Sequence, residues 1–314
     1  MKNISRFFTL YWIIYFPTCI AYNDLPGFSS VDEAMTILLF VYTLWMYNNN
    51  RSINRRPWKE FMVCISLIAF YTVYSLLFGA NVAGGVWLDL MQEIRPYAII
   101  YCTWILNPRF TKKQKKWMLG TMVLTLFSWI FYHPQTLDTQ VEAEFPVLGQ
   151  LAICTGMSWY LFTKETKRNR NIALLLVLTG MLAPKFKFMG EVVCFIGFVY
   201  FVKNRLNFKS PKTMIYVVLL VTVILMVTWT RFDAYYVSGL SNDELARPMT
   251  YKTSLRILWD YLPFGSGMGS FACNGAWKYY SPLYYKYNLN GIWGLSPEMG
   301  YFICDAYYPT LAQF

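Results

Sequence analysis

Histidine is almost missing from this sequence: His133 is the single one in 314 residues. Charge is scarce too, at 14% Asp, Glu, Lys and Arg, where a soluble domain carries about 25%. The seven cysteines include no Cys-x-x-Cys pair. A zinc site draws its ligands from clustered Cys, His and carboxylates, so neither a metal nor any other cofactor is expected. Seven cysteines in so long a chain also exclude a disulfide scaffold. Acids are the minority sign, 17 against 28 Lys and Arg, for a formal charge of +11. What fills the chain instead is apolar: 56% hydrophobic and 19% aromatic residues. That content excludes disorder and points to a lipid environment.

Nine apolar runs recur along residues 1–230: Phe7–Tyr22, Ala34–Tyr47, Phe61–Ala80, Pro96–Leu106, Trp117–Tyr132, Pro146–Phe162, Ile172–Ala183, Phe188–Val202 and Met214–Thr230. A spanning helix needs about 20 mostly apolar residues. The polar connections test the count. With the N-terminus inside, the inner set (1–6, 48–60, 107–116, 163–171, 203–213) holds 19 Lys and Arg but only Glu60 and Glu165 as acids. The outer set holds nine Lys and Arg against 15 acids. This is the alternation of the positive-inside rule. The basic charge therefore reads as topology and anionic-lipid contact, and not as a nucleic-acid surface. The expected fold class is an all-α polytopic membrane protein with nine transmembrane helices. Residues 231–300 follow as one long, ordered extracytoplasmic loop. A tenth span is expected to begin at Tyr301 and to be cut off at Phe314.

Other expectations are local. In Val86–Ile94, the residues Val86, Trp87, Leu90, Met91 and Ile94 share a helical face opposite Asp89, Gln92 and Glu93. They read as an amphipathic helix in the interface, with Pro96 starting the next span. His133, before Pro134 at a span end, reads as an interface residue. Cys19, Cys64, Cys102, Cys154 and Cys194 read as small buried residues inside spans. Cys273 and Cys304 fall on the outer side, and a disulfide between them stays open.

Charges at a membrane edge are costly and default to functional candidates. Lys185, Lys187 and Glu191 occupy one outer turn. They form either a site for an anionic headgroup or diphosphate, or snorkelling anchors with a local partner. Arg247 and Arg256 follow in the long loop, and an arginine fork suits phosphate oxygens. Asp260 stands four residues after Arg256, so a plain helical ion pair is the alternative there. Arg95 is a third cationic candidate. Gly265, Gly267 and Gly269 in PFGSGMGS permit a tight turn, whose N–H groups either approach an anion or serve only the turn. The spacing is neither a P-loop nor a dinucleotide fingerprint. Trp277, Tyr279, Tyr280, Tyr284, Tyr285, Tyr287 and Trp293 read as sugar-stacking rings or as an interfacial belt.

The order of these features resembles the O-antigen ligase and O-antigen polymerase superfamily. The long loop opens with an Arg-x-x-x-aromatic motif, Arg247 to Tyr251. It continues through Leu255–Phe271 with the glycine turn and then Tyr280–Tyr284, as in the Bacteroidetes-type polysaccharide polymerases. The resemblance implies glycan transfer from an undecaprenyl diphosphate carrier to an acceptor glycan hydroxyl. The place implied is the outer face of the bacterial inner membrane, with no metal or nucleotide. Membrane lipid and a chain-length regulator are further implied partners. Arg247 matches the family's loop arginine, with Tyr251 where tryptophan is usual. The family's other arginine falls in the Pro184–Lys187 turn, so Lys187 and Lys185 stand in for it. Where ligases carry a histidine, this chain has Asp305, which favours a polymerase; the base stays open among Asp305, Glu298 and Asp260, the carboxylates on the outer side. Catalytic roles thus fall to Arg247, Lys187 and Asp305, and substrate contacts to Arg256, Lys185, Arg95, Gly265, Gly267 and Tyr251. A ligase, or a transporter or flippase of lipid-linked sugar, is the alternative.

Overall fold

The apolar runs are helical over most of their described lengths, because a backbone in apolar surroundings must satisfy its own N–H and C=O groups. The structure, a computed structural model, describes residues 2–21, 25, 27–49, 53–132, 145–182, 186–202, 210–239, 242, 244–304 and 308–314. The helices are α1 (Lys2–Thr18), α2 (Val31–Asn49), α3 (Arg56–Phe78), α4 (Ala83–Leu106), α5 (Lys112–Tyr132), α6 (Phe145–Phe162), α7 (Lys167–Leu178), α8 (Phe186–Ile196), α9 (Pro211–Phe232), α10 (Ala246–Asp260), α11 (Asn274–Lys278) and α12 (Pro282–Lys286). A 3-10 helix closes the chain at Tyr308–Gln313. No strand occurs among the described residues.

Among the described residues, two helices, Lys2–Ala21 and Arg56–Phe78, are long and apolar enough to cross a membrane on that ground alone. Four others differ for visible reasons. The apolar parts of α6 and α8 are shorter, Val147–Phe162 and Phe188–Val199. Helix α7 has 12 residues, and α4 carries Asp89, Glu93 and Arg95. Among the described residues, two of the nine expected spans thus meet the test by length and composition alone.

The grouping also differs from a break at residue 230. One unit joins Met1–Met35 to Pro108–Phe232, and a second joins Thr36–Asn107 to Asp233–Phe314. In the first, α1 packs on α5, α5 on α6, α6 on α7 and α8 on α9. Its core gathers Phe16, Met122, Leu126, Trp129, Leu148, Leu151 and Phe188. Helix α6 approaches its neighbours through small residues. A Cβ on Gly156 would lie 2.3 Å from Val177 Cγ2 and 2.8 Å from the Ala173 carbonyl oxygen. Small residues are what let helices meet closely where no hydrophobic effect drives them together.

In the second unit, α3 and α4 form a hairpin, and α11 lies on α4. Helix α3 starts with a proline in its first turn, the position where proline costs least, and is followed by Gly79 as its C-cap. The expected interfacial helix at 86–94 is a correction: α4 runs unbroken from Ala83 with Pro96 inside it. Asp89 is on its buried side at 3% exposure, while Trp87 and Met91 are exposed. At the C-terminus the described residues form no long helix. Tyr301–Cys304 is a turn, and Tyr308–Gln313 packs against α10, where the first turns of a tenth span were expected.

Candidate functional site

The glycine turn is densely hydrogen-bonded within the second unit. Four successive N–H groups are taken by the protein itself. Ser266 donates to the Ala312 carbonyl at 3.0 Å and Gly267 to the Gln313 carbonyl at 3.0 Å. Met268 donates to Ser75 Oγ at 2.7 Å. Gly269 donates to Asp89 Oδ2 at 2.9 Å and to Gln313 Oε1 at 2.7 Å. The carbonyls are held too. Tyr74 Oη donates to Gly265 at 2.9 Å, the Ala80 N–H to Ser266 at 2.9 Å, and Asn81 Nδ2 to Gly269. Gln313 Nε2 donates to the Phe271 carbonyl at 2.6 Å.

Two reasons for glycine are visible there. Gly269 has φ of +74°, a region that costs an L side chain energy. A Cβ on it would also lie 2.5 Å from the Gly85 carbonyl oxygen, and one on Gly275 would lie 2.4 Å from that same atom. The motif thus lays a loop directly on the first turn of α4. The N–H groups of Gly267 and Gly269 point at Gln313 and Asp89, so substrate binding through them is not what this geometry offers.

Around the turn lies an apolar core of Ile257, Phe271, Ala276, Leu283, Tyr284, Leu289, Leu295 and Ile303. Tyr284 stacks on Phe271 with ring centroids 5.3 Å apart. Its hydroxyl accepts the Ala272 N–H at 3.1 Å. Tyr280 donates to the Leu295 carbonyl at 2.9 Å. Tyr280 and Tyr284 therefore build the loop core, whereas Trp277, Tyr279, Tyr285 and Trp293 remain exposed. Cys273 and Cys304 are both free thiols. Desolvation, then the Asp89 carboxylate, pushes the Cys304 thiol up to about 12.

Helix α10 carries three of the candidates. Arg247 sits in its first turn, and its guanidinium lies over the Phe302 ring, 5.4 Å from the centroid. Such stacking covers the face of the fork, while its N–H donors lie in the plane where oxygens bind. The N-cap, Leu245, contributes no side-chain hydrogen bond. A cation there opposes the positive end of the helix dipole, and both attract an anion. Tyr251 is one turn on and half-buried. Arg256 is exposed and nine residues from Arg247, which at 3.6 residues per turn puts it on the other side of the helix. Asp260 takes its bond from Tyr287 Oη at 2.5 Å. Burial, then this bond, pushes the Tyr287 phenol up.

The structure therefore places Arg247 and Tyr251 on neighbouring turns and sets Arg256 apart from them. Arg95 is half-buried on α4. Lys185 and Asp305 lie outside the described residues, as does His133, and so does the side chain of Lys187, itself a residue of α8. Among the described residues no group of three or more His, Cys, Asp or Glu is placed to hold a metal. Sequence reasoning missed the Asp89, Asn81, Ser75 and Gln313 contacts that hold the loop. Asp89 was legible only as the polar side of a short helix. No family model, curated protein or solved structure matches the chain.

Proposed function

We propose that this chain is a multi-pass membrane glycosyltransferase of the polymerase type. It joins lipid-linked oligosaccharide units, carried on undecaprenyl diphosphate, at the outer face of the bacterial inner membrane. The observation that carries the reading is Arg247: a cation in the first turn of α10, stacked on Phe302. A departing diphosphate needs fixed positive charge where its negative charge grows. In this reading Arg247 holds the phosphate oxygens with Tyr251 beside it, and Lys187 and Lys185 supply a second cation. Asp305 takes the proton of the acceptor hydroxyl, a role that needs a carboxylate within hydrogen-bond reach. Nine spans, with the N-terminus inside, belong to the same proposal. The large exposed apolar side chains of α9, among them Ile215, Val218, Leu219, Val221, Met226 and Trp229, support lipid contact.

The test is a deletion strain and its complementation. Loss of long polymer, with short lipid-linked units retained at the outer face, is expected. Accumulation of those units at the cytoplasmic face would overturn the polymerase and point to a flippase. Transfer of preformed polymer to a lipid acceptor would point to a ligase.

A further inference from the structure

Among the described residues, one face of helix α10 is exposed and apolar. Leu255 is 63% and Trp259 74% exposed, and the strip continues past the helix end in Leu262 at 55% and Phe264 at 42%. Leu255 and Trp259 are four residues apart and share a face. Lys252 and Arg256, also four apart, border that strip on one side.

Phe264 ties the strip to the apolar helix α3. Its ring meets Phe70 and Tyr74 with centroids 5.6 Å away in each case. Phe70 lies two turns before the end of α3 at Phe78, or about 12 Å along its axis. Around that contact the outer face of α3 is itself exposed and apolar, through Leu67, Phe70, Val73 and Leu77. The turn thus descends beside a helix that is long and apolar enough to cross a membrane. Irregular backbone survives at such depth only if its polar groups are paired within the protein. In the glycine turn that follows residues 262–264, every N–H from Ser266 to Gly269 is so paired.

We infer that the outward strip of α10 and the 262–264 turn dock on the bilayer as a re-entrant element, with an anionic phospholipid surface as partner. Trp259 sits at headgroup level, where amphipathic rings are favoured. Phe264 reaches deeper, and Lys252 and Arg256 face the lipid phosphates. The inference rests on α3 crossing the membrane and not on the transfer reaction.

The test uses the full chain in vesicles of phosphatidylethanolamine and phosphatidylglycerol. A fluorescent naphthyl amino acid replaces, one at a time, Trp259, Phe264, Leu67 on α3 and Glu298, which is exposed in the same loop. Nitroxide lipids labelled at the headgroup or deep in the acyl chain serve as quenchers. Position 259 is expected to be quenched best by the headgroup label, 264 by the deeper one, and 298 by neither. Lys252→Glu with Arg256→Glu should weaken quenching at 259 at low salt, by about fivefold in the docking equilibrium per charge. Quenching at 67 without quenching at 259 or 264 overturns the docking while leaving α3 in the membrane. No quenching at 67 overturns both. Emission at 259 that responds to a second copy of the chain, and to no lipid, assigns the strip to self-association and also overturns the proposal.

Discussion

A single side chain carries the functional reading, so the sharpest prediction concerns Arg247. A charge-assisted contact to a leaving diphosphate counts more in the transition state than in substrate binding. Losing such a donor costs on the order of 10²–10³ in rate. Arg247→Ala should abolish detectable polymer at matched membrane levels of protein, and Arg247→Lys should keep only a little. Arg256→Ala should be milder, because Arg256 lies across the helix from Arg247. Normal polymer from Arg247→Ala together with none from Arg256→Ala would move the role to Arg256. A different residue tests the frame under the site. Asp89→Ala removes one of the two acceptors of the buried Gly269 N–H and leaves Gln313 Oε1 as the other, so the loss expected is that of one hydrogen bond, about 0.5–1.5 kcal/mol. Asp89→Asn keeps an acceptor oxygen and should lose clearly less. Thermal melting of the purified protein in detergent separates the two, and equal losses would show that the bond to Gly269 is not what matters. Cys304 gives a third readout. The thiolate is the reactive form, and its thiol is pushed up to about 12. Its alkylation rate should therefore climb about tenfold per pH unit up to roughly pH 9.5, and a plateau near pH 8.5 would show an ordinary thiol.

Among the elements, helices were legible and their partners were not. Apolar runs announce a helix because the period and the length are local. The α3–α4 hairpin holds the glycine turn through Asp89 to Gly269, Asn81 to Gly269 and Ser75 to Met268, pairs separated by 180, 188 and 193 residues. Nothing local marks such pairs, so Asp89 looked like the wet side of an interfacial helix. The glycines were visible as a motif, yet their use depends on Gly85, which only the fold brings near. Close helix contact yields a prediction at this scale. Gly156→Leu must push α6 from α7, because its added atoms meet Val177 and the Ala173 backbone. Overpacking of this kind costs about 1–3 kcal/mol. Gly120→Leu on α5, with nothing within 4 Å of the added Cβ, is the control and should leave the melting midpoint nearly unchanged. Equal midpoints for the two variants would mean that α6 and α7 do not meet this closely.

For the whole molecule, charge and packing give two different divisions of one chain. The Lys and Arg count divides the connections into an inner and an outer set. The packing joins residues 36–107 to 233–314. These divisions are compatible only if the loop is built on the outer ends of α3 and α4. The bonds from Ser75 and Asn81 to residues 268 and 269 supply that link at the end of α3 and the connection after it. Topology is then the decisive measurement, since it follows from counts alone and does not use the resemblance. The segment 107–116 holds five basic residues and no acid, and should face the cytoplasm. Ser238, after α9, should face the other side. Single cysteines at Thr111 and Ser238, probed in intact cells with a membrane-impermeant maleimide, are expected to differ. Position 238 labels from outside, and position 111 labels only after the membrane is opened. Were both to label from one side, an odd number of crossings between them would be excluded. The inner and outer sets of connections would then have to be redrawn, and Arg247 could not be assigned to the outer face on the strength of charge.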